Sequence, residues 1–270
     1  MKKAIWCRGC SFTFGEGLQY FSELPSVNVP DEQYWDAKYL TNAQYQFIRY
    51  NRYSKLLADK LNTIDINGSK NGGTNATIYT ALKRLLSPKY SNNSSPYLDE
   101  HYIELNEIGL IVIQFTDLFR EHIEIDAILY EPASKYKDKF DWMDKVSKTI
   151  SFETFVEKVA EKTIKEFEIL LKEIQEKNPD IIIRVFNWFP ETDTAIKNNE
   201  YFKDKLLKFE IDGKTYSNFK DMIYGKHGLT IEETFYPKCG HDQHFNPIGQ
   251  KLITDTIYAS IKDEWNEKYK

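Results

Sequence analysis

Leu110-Ile111-Val112-Ile113 is the stretch that most constrains what this chain can fold into. An unbroken apolar run of that length reads as a central parallel strand covered by helices on both faces. The rest of the chain supplies its partners. Ala4-Ile5-Trp6-Cys7 reads as a first strand, Thr63-Ile64-Asp65-Ile66-Asn67 as a second, and Ile181-Ile182-Ile183-Arg184-Val185-Phe186 as a fourth after the central run. Leu206 to Ile211, turning at Asp212-Gly213, is expected to be a last strand.

Helical patterns separate these runs. Gly17 to Glu23 is expected as a short helix closed by Leu24-Pro25. Leu40, Ala43, Phe47, Tyr50, Leu57 and Leu61 recur at helical spacing and predict one amphipathic helix. Ala76 to Leu86 predicts another, ended by Ser87-Pro88, and a long helix is expected over 151–177, ended by Asn178-Pro179. A final helix opens at Asn246-Pro247, an N-cap followed by proline at the first helical position, with Ile248, Leu252, Ile253, Ile257 and Ile261 expected inward. Strands alternating with helices build a parallel sheet. We therefore expect one α/β domain over residues 1–270, with insertions at about 118–150 and 191–236, the first near the mouth of a site.

Composition narrows the function classes. The net charge of −5 comes with interspersed signs and no basic tract, which argues against a nucleic-acid groove or a polybasic membrane patch. No stretch approaches the ~20 apolar residues of a membrane span. The apolar run after Met1-Lys2-Lys3 is too short for a signal peptide, and three cysteines make no disulfide framework, so a cytoplasmic address is expected. The 18 Tyr and 17 Phe are generous, as core and rim packing or as platforms for a sugar or acyl ligand.

Two loops carry candidate chemistry. Arg8-Gly9-Cys10-Ser11-Phe12-Thr13-Phe14-Gly15-Glu16-Gly17 follows the first strand and has the parts of an exposed nucleophile, with helix amides aimed at Ser11. Near the other end, Asp242 and His244 stand at i and i+2 and can share one face of an extended segment. A carboxylate beside an imidazole is the orienter-and-base half of a nucleophilic triad. In an open parallel sheet the strand-to-helix loops gather at one edge, which would bring both loops together.

These residues resemble the sequence blocks of the SGNH (GDSL) hydrolases. Gly9-Cys10-Ser11 stands where that family carries Gly-Asp-Ser; Asn67 with Gly72-Gly73-Thr74-Asn75 is similar to its second block. Ile113-Gln114-Phe115-Thr116-Asp117 falls where the third block, Gly-x-Asn-Asp, follows a buried strand. Asp242-x-His244, then Asn246-Pro247 and Gly249, is similar to the fifth. The blocks come in family order over residues 9–249. The resemblance implies a flavodoxin-like three-layer α/β/α sandwich and a serine ester hydrolase. It implies Ser11 as nucleophile, His244 as general base, Asp242 as its orienter, and the amides of Ser11 and Gly72 at the oxyanion hole. Cys10 replaces the usual aspartate, and Gln114 and Thr116 replace the third block's glycine and asparagine, so Thr116 or Gln114 would supply the third oxyanion donor. Arg120, Asn75 and Trp188 are candidate substrate contacts. The family's range and the aromatic-rich insertions suggest small O-acyl esters on carbohydrates as substrates, with no cofactor.

Other classes compete. Trp6-Cys7-Arg8-Gly9-Cys10 matches the Trp-Cys-x-x-Cys of thioredoxin-like oxidoreductases, and Cys7-x-x-Cys10 with Cys239-x-His241 has zinc-ligand spacing. A binding module on an SGNH-like fold with little catalysis is the third alternative, because of the altered third block.

Overall fold

The computed structural model describes residues 2–22, 41–69, 73–87, 90–91, 102–116, 118, 123–125, 128–130, 151–188, 190–224, 228–230, 233 and 244–270. Four strands form the central sheet: β1 (Ala4–Arg8), β2 (Ile64–Asn67), β3 (Ile108–Phe115) and β4 (Ile182–Asn187), in the order β2-β1-β3-β4. All pairings are parallel. Every residue of β3 is buried, Gln114 included, as expected of a central strand built on the apolar run Leu110–Ile113.

The pleat sorts the strand residues into two layers. On one side Ala4, Trp6, Ile111, Ile113, Phe115, Ile183 and Val185 pack against α4 (Asn75–Arg84), α5 (Phe152–Lys177) and α6 (Asp193–Asn198). On the other, Ile5, Cys7, Leu110, Val112, Ile182 and Phe186 meet α3 (Tyr53–Leu61), α7 (Phe219–Ile223) and α8 (Pro247–Tyr269). This is the three-layer arrangement expected from the sequence. Among the described residues no helix is long and apolar enough to cross a membrane.

The helix starts are set by capping chemistry. Thr41 opens α2 (Asn42–Asn51) with a reciprocal capping box to Gln44, and Thr74 opens α4 the same way with Thr77. The side-chain oxygens of Ser151 and Asn246 accept from Thr154 N and Gly249 N at the starts of α5 and α8.

Several local expectations are corrected. The single helix drawn through Leu40–Leu61 is two helices, α2 and α3, separated by an extended Arg52 (φ −74°, ψ 150°). The break lets the Arg52 guanidinium reach Asp65 on β2 at 2.9 Å, both side chains being buried. Tyr50, expected inward, is exposed. The short helix after Gly17 is a 3₁₀ turn over Leu18–Phe21; Leu24-Pro25 lies outside the described residues. Leu206 makes an isolated parallel bridge to Val185, while Phe209–Ile211 pairs antiparallel with Lys214–Tyr216 in a small hairpin. Within the expected insertion after residue 118, Ile123–Ile125 and Ile128–Tyr130 form a second antiparallel pair. Ile248 is exposed: the neighbouring Gly249 faces inward, where a Cβ would lie 2.5 Å from the Leu229 carbonyl oxygen.

Candidate active site

β1 delivers the serine. Its last residue, Arg8, is paired with Ile113 on β3, so the Gly9-Cys10 step runs alongside the end of β3. Gly9 fits there because it has no side chain: a Cβ would collide with Thr13 Oγ1 and come 2.6 Å from Gln114 Oε1. Ser11 then opens α1 (Ser11–Phe14), a single turn closed by Gly15 in the left-handed region at φ 92°. The N-cap, Cys10, makes no side-chain cap. The first-turn amides, which lack intrahelical acceptors, are therefore not taken up by a capping side chain.

His244 arrives from the other end of the chain. Phe245 is fully buried and bridges to Thr230, and Asn246 N-caps α8, donating also to the Gly228 and Thr230 carbonyls. These anchors hold His244 beside the serine turn, with its Nε2 2.7 Å from Ser11 Oγ. The imidazole tilts over the Phe12 ring at 4.5 Å, and Trp188 stacks on Phe12 at 3.7 Å. An apolar floor of this kind fixes the ring's position and keeps water from one side of it.

A buried hydrogen-bond chain fixes α1. Tyr53 Oη donates to Thr13 Oγ1 at 3.3 Å, and Thr13 Oγ1 donates to Gln114 Oε1. Gln114 Nε2 in turn donates to Cys10 Sγ at 3.5 Å. Asn67 donates to the Thr13 carbonyl oxygen at 2.8 Å and to Ser54 Oγ. The network reaches α8 as well, since Gln250 Oε1 accepts from Tyr53 N at 2.9 Å and Thr254 Oγ1 donates to Tyr53 O. The Ser11 turn and α8 thus share one polar scaffold. Burial pushes the Tyr53 phenol well above its usual range, with Cys7 adding to it. The Cys7 thiol, in the core against α3 and α8, is likewise pushed up by burial and then by Asp65. Cys239 and His241 lie outside the described residues.

The structure brings Ser11, His244, Gln114 and Trp188 into one neighbourhood, joined by the contacts above. Gln114 is fully buried, with both ends of its amide engaged. Thr116, at the end of β3, is buried, and among the described residues its Oγ1 has no hydrogen-bond partner. Asn75 spends its amide on the Thr116 main chain, accepting from N at 2.9 Å and donating to O at 3.1 Å. Trp188 is only 6% exposed, part of the floor beneath Phe12. Asp242, Gly72 and Arg120 lie outside the described residues.

One residue was missed by sequence reasoning. Glu16 is buried, and its Oε2 lies 3.3 Å from His244 Nε2, on the same ring nitrogen that faces Ser11. The sequence does hold a signal: Glu16 is a lone acid between two glycines, Gly15 and Gly17, and both take positive φ.

Among solved structures, the acetyl xylan esterase Est2A from the rumen bacterium Butyrivibrio proteoclasticus superposes with a TM-score of 0.50 at 12% identity, over 97% of this chain and 65% of that one. A carbohydrate esterase described as displaying divergent catalytic and non-catalytic binding functions gives 0.49 at 13% identity, over 97% of this chain and 66% of that one. A family two carbohydrate esterase from Cellvibrio japonicus gives 0.44 at 9%, over 98% and 62%. This chain therefore spans less than two thirds of their lengths. The first likeness is one of fold, and it agrees with the parallel three-layer sandwich of SGNH-hydrolase type expected from the sequence. No family model matches the chain, and no curated protein matches it.

Proposed function

We propose that this chain is a serine ester hydrolase of the SGNH type that removes small O-acyl groups, acetyl above all, from a carbohydrate or related polyol. The observation that carries the reading is the 2.7 Å contact between Ser11 Oγ and His244 Nε2 at the sheet's strand ends. His244 takes the Ser11 proton as Oγ attacks the acyl carbon. The oxyanion is met by the Ser11 amide, by the Gly72 amide and by the Thr116 hydroxyl, the last in preference to the engaged Gln114 amide. His244 then hands the proton to the leaving alcohol, and water hydrolyses the acyl-enzyme by the same route in reverse. Asp242 orients the imidazole.

The carbohydrate part of the reading is supported by the fold shared with an acetyl xylan esterase. The test is covalent labelling with a fluorophosphonate together with hydrolysis of p-nitrophenyl acetate and of acetylated xylo-oligosaccharides. Labelling confined to Ser11, with hydrolysis abolished in Ser11→Ala, is the expected result. Hydrolysis that persists in Ser11→Ala would make the ester chemistry incidental and leave a carbohydrate-binding module as the better reading.

A further inference from the structure

We propose that Glu16 selects the leaving alcohol, accepting a hydrogen bond from a hydroxyl on the carbon next to the ester-bearing one, so that the preferred substrates are monoesters of vicinal diols. The inference rests on the hydrolase reading above and adds the chemistry of the alcohol side.

The argument is one of shared geometry. His244 Nε2 must give its proton to the leaving oxygen, so that oxygen comes within hydrogen-bond reach, about 3 Å, of Nε2. Glu16 Oε2 lies 3.3 Å from the same nitrogen. The leaving oxygen and the carboxylate are thus neighbours across one ring edge, and a hydroxyl one carbon further along the alcohol falls beside the carboxylate. An ionised carboxylate offers about four lone-pair sites, so contact with the imidazole leaves acceptor capacity for a substrate hydroxyl.

Glu16 is also held where it stands. Gly15 and Gly17, on either side of it, adopt φ of 92° and 91°, a conformation that costs other residues energy. Its amide donates to Ser11 O at 3.0 Å, and its side chain is only 11% exposed. An alkyl ester of the same shape leaves it facing a methyl group, the situation in which a polar site rejects an analogue most strongly.

A matched pair of esters reads this directly: 2-hydroxyethyl acetate and propyl acetate differ by a hydroxyl in place of a methyl at the same position. The wild-type protein is expected to favour the hydroxyethyl ester in kcat/KM. Glu16→Ala should cut that preference about tenfold, and Glu16→Gln, which keeps a neutral acceptor, should fall between, since hydrogen bonds to charged groups are the stronger ones. If Glu16 only steadies the imidazolium or the loop, both esters lose rate equally and the ratio stays put; that result overturns the proposal. Should Glu16→Ala fail to fold, the near-isosteric Glu16→Gln carries the same test. A wild-type protein inactive on both esters and unlabelled at Ser11 would instead sink the hydrolase reading itself, and this inference with it.

Discussion

The amide of Asn75 holds the main chain of Thr116 at two points, accepting from its N–H at 2.9 Å and donating to its carbonyl at 3.1 Å, while the Thr116 hydroxyl is left without a partner among the described residues. A buried hydroxyl with nothing to bond is costly in the resting protein. That cost is recovered if the hydroxyl donates to the oxyanion. Thr116→Val keeps the shape and removes the donor. It is expected to lower kcat on p-nitrophenyl acetate about 100-fold with little change in KM, because the interaction exists only in the transition state. Thermal stability should hold or rise. A neutral Thr116→Val beside a folded but crippled Gln114→Ala would give the donor role to Gln114 instead.

The Ser11–His244 pair should behave as one unit. His244→Ala is expected to slow acylation by about 10⁶-fold, and the Ser11→Ala/His244→Ala double variant should be no slower than Ser11→Ala. Burst kinetics with p-nitrophenyl acetate measure this. Additive losses would mean the two side chains act separately.

Arg52 and Asp65 form a buried ion pair at 2.9 Å that joins the α2–α3 break to β2. Asp65→Ala strands the guanidinium and is expected to cost about 3–5 kcal/mol in chemical denaturation. Arg52→Met combined with Asp65→Leu should recover most of that loss, since an apolar pair of similar volume avoids burying a lone charge.

Glu168 carries a pH signature. Hydrogen bonds from Lys172 and Asn199, opposed by burial and reinforced by Lys165, hold its carboxyl at about 2, below the ordinary glutamate value of 4.5. A depressed carboxyl stabilises the fold above its unfolded pKa and loses that contribution as pH falls through its folded one. Wild-type protein should therefore melt above Glu168→Gln at pH 7. The gap should begin to close below about pH 4.5 and vanish toward pH 2. A gap that is constant with pH would assign the effect to packing.

The sheet was legible in the sequence because β3 carries the unbroken apolar run Leu110–Ile113, and the last helix because Asn246-Pro247 marks its start. The break at Arg52 was not. Leu57 and Leu61 keep the helical spacing straight through it, and its cause is an aspartate 13 positions away on another element. Ser11 and His244 could be paired from topology, since both sit in loops at one sheet edge. Glu16 could not, because its direction depends on two consecutive left-handed turns, and no local pattern says where they aim. Asn75 was legible as a motif residue but not by its partner, the Thr116 main chain 41 positions on.

Ser11 follows the first strand and His244 stands just before the N-cap region of the last helix, 233 positions further along the chain. Ribosomal synthesis runs in one direction, so in the proposed hydrolase the nucleophile exists long before the residue that arms it. Until α8 docks, through Gln250 and Thr254 on Tyr53, Ser11 has no imidazole beside it and, in that reading, is an ordinary alcohol. Reactivity is thus withheld until the fold is finished.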